Sequence, residues 1–524
     1  MITLLDYGAG NVRSVVNALE RLGESVQLVR SVRDLEQAQR LVFPGVGSFG
    51  ALMAALREQG LREPLLRYLH AGKPFLGICI GLQALFTGSE EAPDEPGLGF
   101  FPGQVRRFTC KLAVPHIGWN GIKTQKASPL FTGLGGDEKF YFVHSYHVVP
   151  EQHGQVLTTT DYGTEFVSAV EDNAVAATQF HPEKSGEAGL QVLANFLAGS
   201  REAIYLTRCP QSTALAKRVI ACLDVRTNDQ GDLVVTKGDQ YEVREAGEVR
   251  NLGKPVALAA EYYQQGADEI AFLNITAFRD YPLDDLPMLR VLEEAAKQVF
   301  VPLTIGGGIR DFTDRNGVFT SALEVAARYF RAGADKVSIG SDAVLIVEQY
   351  LKKGKASGLS AIEQIARVYG SQAVVISVDP RRVYVDAPDD VPHQVIKTAT
   401  PGPNGETYCW YQCTIRGGRE GRELDAITLA QVCEQLGAGE ILLNCIDRDG
   451  TNAGFDLELI NAVRQAVHIP VIASSGAGSA NHFLEVFTQT NADAALAAGI
   501  FHRREVPIEA VKELLQGKVE VRLA

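Results

Sequence analysis

Short apolar runs alternate with longer amphipathic stretches along most of the chain, a pattern that predicts β-strands alternating with α-helices. The first series of alternations spans residues 1–200 and closes on an apolar helical segment at 189–197. Residues 201–214 interrupt the pattern and are predicted to be a linker, and a second series runs from 215 to 524. The first series predicts an α/β domain in which helices flank a sheet.

The second series contains an internal repeat. Residues 266–274 are similar to 437–444, residues 301–308 to 469–476, and residues 334–339 to 492–497. Four βα units repeated once give eight parallel strands, which close into a (β/α)8, or TIM, barrel. The paired segments are not equally far apart, so insertions must differ between the two halves. Residues 349–360 and 385–415 are predicted to be inserted loops or lids.

Composition narrows the class of protein. A chain of 524 residues with 46% hydrophobic residues predicts two or more domains with large cores. The net charge of −13 argues against nucleic-acid binding, so anionic ligands would need local phosphate sites. The eight cysteines show no zinc-ligand spacing, which predicts free thiols, a reducing compartment and no metal. Without a long apolar run or signal peptide, we expect no membrane segment and a cytoplasmic location, or a plastid if a transit peptide has been removed.

A candidate nucleophile lies at residues 77–83, GICIGLQ, between an apolar strand and a helical pattern. Small residues on both sides of Cys79 are typical of a nucleophile elbow, which holds a reactive side chain at a helix N-terminus and favours the thiolate. The alternative is a buried structural cysteine between two glycines.

Two further segments supply what a thiolate nucleophile needs. His181 and Glu183 are two residues apart, which places both side chains on one face of an extended segment as a proton shuttle and its orienting group. Gly45 and Val46 follow a predicted strand and could turn backbone N–H groups toward an oxyanion. The alternatives are a surface turn at His181 and an ordinary strand-to-helix turn at Gly45.

The barrel has its own candidates at the carboxyl ends of the strands, where TIM barrels carry their chemistry. Asp224 and Asp379 follow strands 1 and 5, on opposite sides of the mouth, and could act as acid and base. They could instead be helix N-caps. Glycine-rich turns at 306–308 and 475–478, with strand ends at 340–341 and 498–499, could bind a phosphate at each end of one ligand, or could be simple tight turns.

Four charged residues begin barrel strands 1, 2, 4 and 6: Arg218, Glu269, Lys336 and Glu440. Their place is the N-terminal mouth, opposite the chemistry. Charges at such positions are usually solvated. Two positive and two negative charges around one ring could instead satisfy each other as a buried network.

These motifs resemble a known family. Residues 1–200 resemble a class I glutamine amidotransferase domain, which has a flavodoxin-like fold, and in particular the glutaminase half of the imidazole glycerol phosphate synthases, through DYGAGN at 6–11, HIGWN at 116–120 and YFVHSY at 141–146. Residues 215–520 resemble the cyclase half of that family. The motifs of this second half are ACLDV at 221–225, KG at 237–238, FLNIT at 272–276, GGGI at 306–309, IDRDGT at 446–451 and ASSGAG at 473–478.

The resemblance implies a fused enzyme of histidine biosynthesis without a metal or organic cofactor, acting on glutamine and a diphosphorylated ribulosyl-formimino intermediate. It implies that Cys79, His181 and Glu183 release ammonia, which passes the ring of four charges into the barrel, where Asp224 and Asp379 catalyse cyclisation. A monomer is expected, since both activities share one chain. The implied substrate-binding residues are Gly45, Val46, Gln83, His144, Ser145 and Tyr146 for glutamine, and Lys237, Gly308, Ser341, Asp449, Gly450, Gly476, Ala498 and Gly499 for the phosphorylated substrate.

Two positions depart from the family pattern. Asn274 stands where single-domain bacterial cyclases carry aspartate, and Gly340-Ser341 replaces a more familiar Asn-Thr. Two other functions are compatible with the motifs: an amidotransferase fused to a phosphate-binding barrel with a different acceptor, and an inactive sensor of glutamine and a sugar phosphate. A substrate screen separates the first, and glutamate release would exclude the second.

Overall fold

The computed structural model describes residues 1–8, 10–45, 47–199, 213–227, 233–236, 244–245, 248–249, 252–275, 287–314 and 317–523. The chain forms two α/β domains, the second of them a closed parallel barrel surrounded by helices, so the predicted fold class is confirmed. Two predicted site residues, Val46 and Lys237, and residues 201–212 of the predicted linker lie outside the described residues.

The N-terminal domain is built around one eight-stranded mixed sheet, in the order β2-β1-β3-β4-β13-β12-β11-β8. Its strands are β1 Ile2–Leu4, β2 Val26–Leu28, β3 Leu41–Phe43, β4 Phe75–Ile78, β5 Gly88–Ser89, β6 Gly103–Arg107, β7 His116–Gly121, β8 Lys123–Thr124, β9 Lys139–His144, β10 Tyr146–Pro150, β11 Val156–Asp161, β12 Glu165–Asp172 and β13 Val175–Thr178. Its helices are α1 Val12–Arg21, α2 Val32–Gln37, α3 Phe49–Glu58, α4 Arg62–His70, α5 Ile80–Gln83 and α6 Gly186–Ala198. Strands β2, β1, β3, β4 and β13 are parallel, and the rest of the sheet is antiparallel.

The C-terminal domain is a barrel of eight parallel strands that closes by pairing between the first and the last. The barrel strands are β14 Arg218–Thr227, β18 Glu269–Asn274, β19 Leu303–Gly306, β22 Lys336–Ile339, β23 Val374–Val378, β28 Glu440–Asn444, β29 Val471–Ser474 and β30 Ala494–Ala497. Its helices are α7 Pro255–Gln264, α8 Pro287–Ala295, α9 Ala322–Ala332, α10 Ser341–Lys353, α11 Ala361–Tyr369, α12 Ala426–Gln435, α13 Leu457–Ala466, α14 Ala480–Gln489, α15 Gly499–His502 and α16 Ile508–Leu515. Outside the barrel wall lie β15 Leu233–Val235, β16 Arg244–Glu245, β17 Glu248–Val249, β20 Phe312–Thr313, β21 Phe319–Thr320, β24 Pro380–Val385, β25 Val395–Lys397, β26 Tyr408–Ile415 and β27 Glu420–Asp425.

The expectation of loops at both insertions was wrong in part. Residues 385–415 contain all of β25 and β26, which form a four-stranded antiparallel sheet with β24 and β27. This segment was hard to interpret because its strands pair only with each other and leave the barrel's βα repeat. Residues 349–353 are the last turn of α10, and only the short segment after it connects α10 to α11.

The N-terminal domain docks against the bottom of the barrel, where the parallel strands begin. Trp119 donates its indole N–H to the carbonyl of Asp268 at 3.2 Å, directly before β18. Lys184 pairs with Asp335 at 2.7 Å, directly before β22, and Asn11 donates to the same carboxylate at 2.8 Å. The guanidinium of Arg522 lies 4.3 Å from the Trp119 ring. Because Trp119 and Tyr141 belong to the same apolar cluster as the barrel wall, one hydrophobic core crosses the interface.

The described helices are all too short or too polar to cross a membrane.

Candidate active sites

Cys79 lies on a strained turn between β4 and α5. Its backbone has φ +53° and ψ −104°, and its N–H donates to the carbonyl of Thr178 at 2.6 Å. The flanking glycines are needed for close packing: a Cβ on Gly81 would lie 2.3 Å from the Phe43 carbonyl oxygen, and one on Gly77 would lie 2.9 Å from the Gly81 carbonyl oxygen. A non-glycine residue held at positive φ by its surroundings is typical of a nucleophile elbow.

The predicted proton shuttle, His181 with Glu183, lies on a neighbouring segment that begins the 3₁₀ helix Pro182–Lys184. His181 Nδ1 lies 2.8 Å from Glu183 Oε1, and both side chains are at most 5% exposed. Burial opposes a charge on His181, but the Glu183 carboxylate and the Cys79 sulfur raise the pKa of the imidazole well above its usual value. Within the described part of the chain, His181 Nε2 has no hydrogen-bond partner, which leaves this nitrogen for a reacting group.

The residues expected to hold glutamine surround this site. Gln83 donates to the Tyr146 carbonyl at 3.0 Å and to Gln179 Oε1 at 3.2 Å, and His144 Nδ1 lies 2.7 Å from the same Tyr146 carbonyl. Ser145 is buried between them. Gly45 packs against the elbow, since a Cβ on it would lie 2.7 Å from the Gly81 nitrogen.

Sequence reasoning missed two side chains here. Gln179 donates to Cys79 Sγ at 3.4 Å, and its place two residues before His181 was the available signal. Glu91 accepts from the Phe49 N–H at 2.9 Å, and burial raises the pKa of its carboxyl. After burial, the charge of Glu91 also raises the pKa of Tyr146. Nothing in the local sequence around Glu91 indicates such a position.

The four charges at the N-terminal mouth form a closed, buried ring. Arg218 pairs with Glu269 at 2.9 Å and with Glu440. Lys336 pairs with Glu269 at 2.7 Å and with Glu440 at 2.6 Å. All four side chains are at most 1% exposed, so they are not solvated surface charges. Burial opposes both charges, but the partners raise the pKa of Arg218 and lower that of Glu440.

Tyr141 lies next to the cysteine site and at the domain interface, and its position was also missed. Its carbonyl accepts the N–H of His181 at 2.9 Å. Its hydroxyl is buried without a hydrogen-bond partner in the described ranges. Burial, and then the charge of Glu269, raise the pKa of that hydroxyl. The side chain belongs to the hydrophobic cluster that crosses the domain interface.

At the other end of the barrel, a cavity of about 230 Å³ brings together most of the predicted cyclase residues. It is lined by Asp224, Asp379, Asp449, Gly450, Gly476, Ala498 and Gly499, among others. Asp224 is not at the end of its strand as expected, because β14 continues to Thr227, where it pairs with β15. Asp379 directly follows β23. Asn444 donates to its carboxylate at 2.9 Å, and burial raises its pKa.

Gly308 and Ser341 lie at the same mouth of the barrel, after β19 and β22, but do not line this cavity. Ser341 begins α10, and its hydroxyl accepts the Arg416 N–H at 3.0 Å. On the cavity side, Gly476 has φ +97°, and a Cβ there would lie 2.2 Å from the Gly454 carbonyl oxygen. Only glycine fits such a turn, which brings backbone N–H groups close to a ligand.

Asn274, which stands in place of an aspartate, hydrogen-bonds with the neutral side chain of Tyr329. Burial raises the pKa of Tyr329 to about 12, partly offset by a hydrogen bond with Asn274. An amide can serve a hydroxyl there without placing another negative charge in the barrel. Among the described residues, no group of three or more His, Cys, Asp or Glu side chains is placed to hold a metal ion.

The α/β domain with its cysteine elbow and the closed parallel barrel together define a glutamine amidotransferase fused to a barrel enzyme. Family models agree: "Glutamine amidotransferase class-I" matches residues 3–199, and "Histidine biosynthesis protein" matches 218–507. The chain belongs to the imidazole glycerol phosphate synthase family, as its full-length relatives establish.

Three of these relatives carry the name imidazole glycerol phosphate synthase hisHF. The chloroplastic protein of Arabidopsis thaliana is 58% identical over 100% of this chain and 90% of its own length. The Schizosaccharomyces pombe protein is 57% identical, with 98% of each chain covered. The Emericella nidulans protein is 54% identical over 99% of this chain and 98% of its own.

Proposed function

We propose that the chain is a single-chain imidazole glycerol phosphate synthase. It hydrolyses glutamine at Cys79, passes ammonia through the barrel, and converts a diphosphorylated ribulosyl-formimino aminoimidazole carboxamide ribonucleotide to imidazole glycerol phosphate and the free aminoimidazole carboxamide ribonucleotide. The observation that carries the proposal is the buried ring of four charges at the end of the barrel against which the glutaminase domain docks. The docking contacts of Trp119 and Lys184 reach residues directly before two of the strands that carry the ring.

In the first reaction, the Cys79 thiolate attacks the carboxamide carbon of glutamine. The developing oxyanion is stabilised by backbone N–H groups around Gly45, Val46 and Ile80. His181, oriented by Glu183, gives its proton to the departing ammonia from Nε2. Water, deprotonated by the same imidazole, then releases glutamate and restores the thiolate. Gln83 and the segment His144, Ser145 and Tyr146 hold the substrate.

In the second reaction, ammonia adds to the substrate in the barrel cavity and the imidazole ring closes. Asp379, whose pKa is raised by burial, is suited to hold and give a proton, and Asp224 faces the same cavity to accept one. Gly308 and Ser341 bind one phosphate. Asp449, Gly450, Gly476, Ala498 and Gly499 bind the other, and Lys237 closes over the substrate. No metal or organic cofactor takes part in this proposal.

The proposal is tested by assaying imidazole glycerol phosphate formation with glutamine and, separately, with an ammonium salt. We expect both nitrogen sources to support the reaction, with one glutamate released per product when glutamine is used. Turnover of a different phosphorylated acceptor, or glutamate release without any cyclised product, would overturn it.

The proposal also assigns residues 1–200 to the glutaminase, 201–214 to a linker and 215–524 to the cyclase. A monomer and a cytoplasmic location, or a plastid one, follow as further expectations. Sedimentation of the purified chain would test the oligomeric state.

Breaking the charge ring is expected to uncouple the two reactions. Arg218→Ala or Lys336→Ala should leave ammonia-dependent cyclisation mostly intact but raise the ratio of glutamate released to product formed above one. The physical reason is that the remaining buried charges rearrange and no longer guide ammonia into the barrel. Unpaired buried charges also cost about 3–5 kcal/mol, so thermal unfolding is measured on each variant.

The matched control for the ring is Lys297→Ala, which removes a lysine from an exposed ion pair with Glu294. A ratio that stays at one in both folded ring variants would show that the ring does not gate ammonia.

Glu183→Gln is expected to move the alkaline limb of glutamine hydrolysis to lower pH. The raised pKa of His181 keeps the imidazolium present at pH values where an ordinary histidine is neutral. Removing the carboxylate lowers that pKa, and the imidazolium is then lost earlier as pH rises. The measurement is kcat/KM for glutamate release against pH, and an unmoved alkaline limb would contradict the assigned partnership.

A further inference from the structure

The barrel cavity has an unusual balance of charge for a site that takes a doubly phosphorylated ligand. Three carboxylates line it: Asp224, Asp379 and Asp449. Of the lining residues that the structure describes, only Arg503 is a cation. A phosphate dianion entering such a cavity meets unfavourable charge unless a cation is close to where it binds.

Arg503 lies beside the turn expected to bind one phosphate. It directly follows the short helix α15, whose first residue is Gly499. A Cβ built on Gly499 would lie 2.7 Å from Arg503 Nη1 and 3.5 Å from its Cζ. The guanidinium therefore lies directly against the backbone of residue 499, where a side chain would have to displace it.

Glu505 fixes the orientation of that guanidinium. Arg503 Nε and Nη2 donate to the two oxygens of Glu505 at 2.7 and 2.8 Å. This fork-to-fork pairing uses one edge of the planar group and holds the Nη1 side toward Gly499. The Arg503 side chain is 29% exposed, so its charge is partly shielded from solvent.

We propose that Arg503 is the cationic ligand of the phosphate bound by the turns at Gly476 and Gly499, and that Glu505 is the positioning residue that aims it. Backbone N–H groups of those turns supply directional hydrogen bonds, and Arg503 supplies the charge that offsets the nearby carboxylates. This inference rests on the proposed function for the identity of the phosphorylated substrate. It adds a residue outside the motifs that indicated the phosphate site.

The neighbouring Arg504 shows that an arginine here need not face the cavity. Its side chain is 75% exposed, pairs with Glu261 at 3.1 Å and does not line the cavity. Arg504 therefore provides a matched control: the same charge, one residue away, directed to solvent.

The test uses the full chain with an ammonium salt as nitrogen source, so that the glutaminase site does not contribute. Arg503→Met should raise KM for the diphosphorylated substrate by about tenfold or more, as expected for loss of one charge-assisted contact, with kcat changed less than about threefold. Arg503→Lys should recover part of the loss, and Arg504→Met should match the wild type. The KM of the wild type should rise with ionic strength more steeply than that of Arg503→Met, because the contact that the variant lacks is electrostatic and is screened by salt.

Equal KM values in Arg503→Met and Arg504→Met would overturn the proposal and leave Arg503 as an ion-pair partner of Glu505. A fall in kcat alone would likewise overturn it, since that would indicate a disturbed active site. If the wild type forms no cyclised product, the proposed function fails instead. Calorimetric titration with inorganic phosphate then still tests Arg503: weaker binding to Arg503→Met than to Arg504→Met supports the assignment, and equal binding rejects it.

Discussion

Cys79→Ala is expected to abolish glutamine-dependent turnover while ammonia-dependent cyclisation continues. The side chain at the elbow is the only proposed nucleophile, and in hydrolytic triads loss of the nucleophile costs about 10⁴-fold or more. The barrel cavity lies at the opposite end of the second domain, so its aspartates keep their geometry. The measurements are glutamate release and product formation with each nitrogen source.

Cys110→Ala is the matched control for this variant, because Cys110 is a free thiol of the same domain that is not at the elbow. It should behave as the wild type with both nitrogen sources. Glutamine hydrolysis at the normal rate in Cys79→Ala would show that Cys79 is a structural cysteine.

The second large effect is expected in the barrel. Asp224→Asn or Asp379→Asn should slow cyclisation by about 10²–10⁴-fold with glutamine and with ammonia alike, because an amide cannot exchange the proton. Each substitution is close to isosteric. The side-chain oxygen of an amide at position 379 can still accept the hydrogen bond from Asn444. Glutamate release should persist in both variants, since the cysteine site is intact.

An exposed aspartate of the same domain, Asp389, offers the control substitution Asp389→Asn. Near-normal ammonia-dependent rates in both cavity variants would return Asp224 and Asp379 to the role of turn or cap residues.

The residue pattern predicted the fold well where structure depends on interactions within one segment or on a unit that repeats along the chain. Each barrel strand carries its own apolar run, and the internal repeat predicted a second set of four βα units. Eight such units were expected to close into a barrel. The charge ring could be predicted because the first residues of parallel barrel strands all lie at the same end of the barrel. The elbow at Cys79 could be recognised from its flanking glycines. The close approach of the Phe43 carbonyl requires one of them, Gly81.

The remaining features depend on contacts between distant segments. The β24–β27 sheet forms by pairing within an insertion that has no counterpart in the repeat. Glu91 reaches the N-terminus of α3 from a loop that carries no motif, and Arg503 is distinguished from Arg504 only by the direction of its side chain. Tyr141 joins the hydrophobic cluster of the barrel only when the domains dock, which no local pattern encodes.

The hydrophobic core that crosses the domain interface has a consequence for how the two domains meet in the cell. Two separate subunits would dissociate on dilution and expose their apolar interface to solvent. Covalent connection makes their encounter intramolecular, with an effective concentration that does not fall when the protein is scarce. Contact between the two domains therefore does not depend on the expression level, and the apolar surface around Trp119 and Tyr141 stays covered.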